Sequence, residues 1–89
     1  MLRISFSSHG DRSFSKMPQD IQQRIIQALE SLADDALWYR RVKKLQGTEN
    51  QYRLRIGRWR ILFHIDNKEM EILDVFMRKS DADYHRHIS

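Results

Sequence analysis

Apolar positions change period near the middle of the chain. Leu2, Ile4 and Phe6 alternate with polar residues, which predicts a short strand over Leu2–Phe6 with those three side chains on one face. Ser8-His9-Gly10-Asp11 has capping-box spacing and places a short helix over His9–Lys16, with Gly10 as its weak point. Pro18 suits the first turn of a second helix. There Ile21, Ile25, Ala28, Leu29 and Leu32 recur at steps of three and four, a helical stripe through Ala33. The two helices are expected to form an antiparallel hairpin.

Beyond Ala33 the period falls to two. Val42–Leu45 is a candidate short strand, followed by a polar loop containing Gly47. In Tyr52–Ile56 apolar and basic residues alternate, so Tyr52, Leu54 and Ile56 share one face while Arg53 and Arg55 take the other. Gly57-Arg58 has the chemistry of a tight hairpin link. The return strand, Trp59–Ile65, sets Trp59, Ile61, Phe63 and Ile65 against Arg60, Leu62 and His64. Asp66-Asn67-Lys68 turns the chain into a last strand, Glu69–Met77, and a polar tail from Arg78 to Ser89 is read as a possible closing helix. Segregated helices and strands predict one α+β domain over residues 1–89: an N-terminal strand, a helical hairpin, then a three- to four-stranded antiparallel curled sheet.

Composition narrows the function classes. Eighty-nine residues leave no room for a second lobe or a deep cofactor cleft, and 40% hydrophobic with 31% charged residues is a globular balance. The chain has no cysteine, so neither disulfides nor thiolate metal sites are available. It shows no signal-peptide core and no stretch long enough to span a bilayer, and a cytoplasmic location is expected.

Net charge is +4 with an isoelectric point near 9.8, which favours an anionic partner. The charge is unevenly spread. Acids gather at Asp34-Asp35, Glu69–Asp74 and Asp81–Asp83, whereas Arg40–Arg60 holds eight basic residues (Arg40, Arg41, Lys43, Lys44, Arg53, Arg55, Arg58 and Arg60) against the single acid Glu49.

The face carrying Arg53, Arg55 and Arg60 is the candidate site. A solvent-facing arginine on an antiparallel sheet is ordinary, because that face is often polar. Three on neighbouring strands repel one another, and cross-strand neighbours usually pair opposite charges. Such a cluster suits a polyanion, since each contact neutralises a phosphate and releases counterions. Tyr52 and Trp59 lie nearby but fall on the apolar face, where burial is the expected role.

Lys43-Lys44-Leu45-Gln46-Gly47, followed by Tyr52-Arg53-Leu54-Arg55-Ile56-Gly57-Arg58-Trp59-Arg60-Ile61-Leu62-Phe63, resembles the core of RelE-type toxins of the RelE/ParE superfamily. Arg78 and Tyr84 stand where that family has its C-terminal arginine and tyrosine, and the helical hairpin also corresponds. The resemblance implies the RelE-like microbial ribonuclease fold and the toxin of a type II toxin–antitoxin system. Such a toxin enters the ribosomal A site, cleaves mRNA through attack of the ribose 2′-OH and is neutralised by a cognate antitoxin. It uses no metal or other cofactor, and no membrane is involved. Carried over residue by residue, Arg53, Arg55, Arg60, Arg78 and Tyr84 are the catalytic candidates. Lys43, Lys44, Arg58, Lys79, His85 and His87 are candidates for holding RNA.

The family often has lysine in the first strand pair. Arginine keeps its proton at any accessible pH and is a poor general base, so Arg53 and Arg55 are read as clamps and Arg60 and Arg78 as stabilisers of transition-state charge. Proton transfer then falls to Tyr84 or to a histidine beside it, His85 or His87. His9 is expected on the surface at a helix start. His64 shares the Arg60 face but lies about 13 Å along the strand. Phe76-Met77-Arg78-Lys79 departs from the Gly-His-Arg-like sequence more usual in the family. Two alternatives stay open: a ParE-like poison of DNA gyrase on the same fold, and a catalytically weak antitoxin-binding module.

Overall fold

The computed structural model describes residues 1–78. Its elements run β1 (Arg3–Phe6), α1 (Ser8–Ser15), α2 (Gln19–Ala33), a 3-10 turn (Trp38–Arg40), β2 (Lys43–Lys44), β3 (Gln51–Ile56), β4 (Trp59–Asp66) and β5 (Glu69–Met77). The five strands form one mixed sheet in the order β1-β5-β4-β3-β2. β2 to β5 are an antiparallel meander, as the alternation predicts, and β1 adds itself parallel to β5 at the edge.

The turns follow from backbone chemistry. Gly57 takes a φ of +57° in the link between β3 and β4, and the conformational freedom of glycine makes that turn inexpensive. Between β4 and β5, Asn67 and Lys68 are both left-handed, at φ 47° and 66°, the signature of a primed hairpin turn.

α2 buries Ile25, Leu29, Leu32 and Ala33 on one side, the i, i+4, i+7, i+8 spacing of an apolar stripe. That stripe packs with Leu54, Ile61, Phe63, Met70, Ile72 and Val75 from one face of the sheet. Each fully buried side chain of this size contributes about 1.5–3 kcal/mol. Trp38, Tyr52 and Phe63 extend the core as an aromatic cluster, with Tyr52 stacked on Phe63 at 5.7 Å and Trp38 edge-on to Tyr52 at 4.9 Å. Tyr52 therefore takes the core role expected of it. Trp59 is only partly buried, opposite Ile56 and Met77 at the end of the sheet.

α1 begins one residue earlier than the spacing predicts. Ser7, not Ser8, is the N-cap, and its Oγ accepts from the Gly10 N–H at 3.0 Å. Gly10, the expected weak point, is a packing requirement instead. It is buried against β5, where a Cβ would run into the carbonyl oxygen of Ile72. This close approach lets α1 lie along the part of β5 that β1 leaves unpaired, and Phe14 meets Phe6 there at 5.2 Å. The predicted strand Val42–Leu45 shrinks to Lys43–Lys44, and the 3-10 turn before it carries no periodic signal.

Candidate nucleic-acid interface

β3, β4 and β5 present two unlike faces. Opposite the core face, cross-strand register aligns Arg55 with Arg60 and Arg60 with Phe76; one row further, it aligns Lys43 with Arg53, Arg53 with Leu62 and Leu62 with Asp74. Directly paired residues share a face, so Lys43, Arg53, Arg55 and Arg60 stand together. Lys44 pairs with Tyr52 and sits on the other face. The structure thus separates two lysines that sequence grouped.

Arg60 is the fixed point of the cluster. Only 5% of it is exposed, and its Nη1 donates to the carbonyls of Gly57 at 2.9 Å and Trp59 at 3.0 Å. Both acceptors belong to the hairpin that Gly57 makes possible. Burial, and then the guanidiniums of Arg55, Arg78 and Arg53, push the Arg60 pKa below the ordinary arginine value. The same influence places Arg53, Arg55 and Arg78 within electrostatic reach of Arg60. An arginine does not give up its proton at accessible pH, so the result is concentrated positive charge. Among the described residues, Arg53, Arg55 and Arg60 form no salt bridge. Arg78 lies against the hairpin, its N–H donating to the Arg58 carbonyl at 2.7 Å, and Arg58 is exposed in the turn.

β5 reaches this face through an irregularity. Leu62 pairs with Asp74 but Phe63 pairs with Ile72, leaving Leu73 as the extra residue of a bulge. Strict alternation from Met70 and Ile72 would send Asp74 and Phe76 into the core. The bulge shifts the phase, so Val75 enters the core and Asp74 and Phe76 join the arginines. Asp74 Oδ1 accepts from Ser13 Oγ at 2.9 Å and lies 3.2 Å from His9 Nε2, so α1 borders the face on the β5 side. His9, Ser13, Asp74 and Phe76 are not among the candidate site residues read from sequence, where His9 is expected only as a surface residue. A signal existed in the adjacent apolar pair Ile72-Leu73, which breaks the period of two.

His64 stands opposite Gln51 and Glu71, two rows from Arg60. Lys79, Tyr84, His85, His87 and the expected closing helix lie outside the described residues. Among those described, no three His, Cys, Asp or Glu side chains gather as a metal site, and no helix is long and apolar enough to cross a membrane. A shallow depression lined by Phe14, Gln22 and Ile26 lies between the helices, away from the arginines. On the basic face Arg55 is exposed, Arg53 is half-buried and Arg60 is buried.

Residues 9–82 match the profile of the ParE toxin of the type II toxin–antitoxin system parDE. The chain belongs to this family. The toxin has the fold of the isolated Escherichia coli RelE toxin, with a TM-score of 0.77 at 14% identity over 99% of this chain and 96% of that one. It is also similar to the toxin–antitoxin complex RelBE2 from Mycobacterium tuberculosis, with a TM-score of 0.74 and 25% identity over 89% of this chain and 93% of that one. The RelB–RelE antitoxin–toxin complex from Methanococcus jannaschii gives a TM-score of 0.69 and 26% identity over 90% and 96%. No curated protein matches by sequence. The toxin is therefore a type II toxin–antitoxin toxin of the RelE/ParE superfamily, on the α+β fold that the sequence predicts.

Proposed function

We propose that this toxin is an endoribonuclease that cleaves mRNA in the ribosomal A site and so inhibits translation. The observation that carries the reading is Arg53, Arg55 and Arg60 gathered on one sheet face, with Arg78 within electrostatic reach of Arg60 and the Arg60 guanidinium tethered by two carbonyls. RNA supplies its own nucleophile, so the chemistry needs no metal. The 2′-oxygen attacks the adjacent phosphorus, the bond to the 5′-oxygen breaks, and a 2′,3′-cyclic phosphate and a 5′-OH result. One proton leaves the 2′-OH and one reaches the departing 5′-oxygen. Charge builds on the non-bridging oxygens, where fixed guanidiniums stabilise it without reorganising. Arg60 and Arg78 take that role, Arg53 and Arg55 clamp the backbone, and Lys43, Arg58 and Lys79 hold the flanking strand. Tyr84, with His85 and His87 beside it, is the candidate for proton transfer.

A cognate antitoxin is the proposed protein partner, supported by the antitoxin-bound state of the similar M. tuberculosis and M. jannaschii proteins. The test is purified toxin with programmed ribosomes, with the cut ends mapped. Wild type should cut within the A-site codon, and Arg60→Ala with Arg78→Ala should abolish cutting. Wild-type cutting by the double variant would refute the assignment. The ParE family profile favours a second reading, a gyrase poison on this fold. Inhibited supercoiling with intact mRNA would establish that one instead.

A further inference from the structure

We propose that Phe76 is a stacking platform for one base of the single-stranded RNA whose phosphates the arginines hold. The inference rests on the RNA reading above and adds a subsite to it. Phe76 is 37% exposed, although it belongs to a strand whose Met70, Ile72 and Val75 are all buried. It would share their face but for the Leu73 bulge, which turns its ring out among the arginines. A bulge that moves a large apolar ring from the core side into a basic face sacrifices burial, and bulges of this kind commonly re-aim a side chain at a site.

The surroundings identify the occupant. Phe76 is the direct cross-strand partner of Arg60, which places the two Cβ atoms about 4.5–5.5 Å apart. A phosphate on Arg60 therefore brings its own nucleotide's base, or the next one, over the ring. Asp74 is the preceding residue of β5 on this face, about 7 Å along the strand. Ser13 and His9 hold its carboxylate toward α1, so it bounds the subsite on that side. Single-stranded nucleic acid combines a polyanionic backbone with π faces, and grooves that bind it pair cations with aromatics in this way. An acidic protein segment would satisfy the arginines through carboxylates alone, whereas a nucleic acid brings a flat ring with every phosphate.

The test uses the full chain and a fluorescein-labelled seven-nucleotide oligoribonucleotide, beside an abasic oligomer of equal length and poly-glutamate. Phe76→Ala and Phe76→Leu should weaken binding of the base-bearing oligomer by on the order of 5- to 100-fold. Phe76→Trp should restore it, and abasic binding should change less than about twofold, the expectation for a contact made only to bases. Phe76→Leu keeps an apolar side chain, so a fold defect in the alanine variant does not decide the outcome. Unchanged binding of the base-bearing oligomer by the leucine variant would overturn the proposal. So would an equal loss on the abasic oligomer, or a loss confined to poly-glutamate, which would assign Phe76 to an acidic protein partner. Failure of wild type to bind the base-bearing oligomer would also overturn the Phe76 subsite, whereas the RNA reading itself stands or falls on the cutting of mRNA on programmed ribosomes.

Discussion

The two faces of β4 carry opposite kinds of information in one stretch of chain. Ile61 and Phe63 are fully buried beneath α2, and every neighbour in register with them is apolar. Arg60, one residue away, is almost as inaccessible yet charged, and its cross-strand neighbours are Arg55 and Phe76. The core face gains stability from each contact. The other gathers like charges that repel in the free protein and leaves an aromatic ring in water. We propose that a face assembled against its own electrostatics is explained by what it binds rather than by what it stabilises. Substitutions on the two faces should therefore separate into effects on folding and effects on activity.

The largest expected effect is on the core side. Phe63→Ala removes a ring that contacts Tyr52 and Trp38 and should cost about 3–5 kcal/mol of stability in denaturant unfolding. Arg60→Ala should do the reverse. By analogy with loss of one fixed donor at a developing oxyanion, ribosome-dependent cleavage should fall about 100- to 1,000-fold. The Gly57 and Trp59 carbonyls it leaves can turn to water at the hairpin end, so the unfolding midpoint should move much less than for Phe63→Ala. If Arg60→Ala unfolds the protein as severely, the guanidinium is a structural strut and the contrast between faces fails.

How much of this was legible in sequence depends on whether the residues obey one period. The stripe Ile25, Leu29 and Leu32 and the alternations Tyr52–Ile56 and Trp59–Ile65 do, and their elements and faces appear as predicted. The arginine face follows from the same alternation. β5 does not obey it, because the extra residue Leu73 reverses the phase, and so Asp74 and Phe76 could not be placed by counting twos. The parallel docking of β1 against β5 is a long-range pairing that no local pattern encodes. His9 likewise meets Asp74 only because α1 slides close along β5 on Gly10, a tertiary contact.

That contact offers a smaller and more local perturbation. Gly10→Ala places a methyl group against the Ile72 carbonyl and should destabilise the fold by about 1–3 kcal/mol, as overpacking does. The displaced helix would carry His9 and Ser13 away from Asp74, which chemical shifts of the His9 ring would report. Ser7→Ala removes the N-cap acceptor of the same helix and should cost about 1 kcal/mol. Ser8→Ala should cost less, since Ser8 is not the cap. Equal losses for Ser7 and Ser8 in thermal unfolding would return the cap to the position that the capping-box spacing suggests.

The finest division between the faces lies within β2, where two adjacent lysines differ only in the side they occupy. Lys43 pairs with Arg53 on the basic face and Lys44 with Tyr52 on the opposite one, and both are exposed. Neither substitution to alanine should disturb folding, because neither side chain is buried. If RNA follows the arginine face, Lys43→Ala removes one phosphate contact. It should then lower the slope of log affinity against log salt by about 0.7, the single-strand value per contact. Lys44→Ala should leave that slope unchanged. Net charge falls equally in the two variants, so a general electrostatic attraction would lower both slopes alike. Only a strand lying along one face distinguishes neighbours that sequence treats as equivalent.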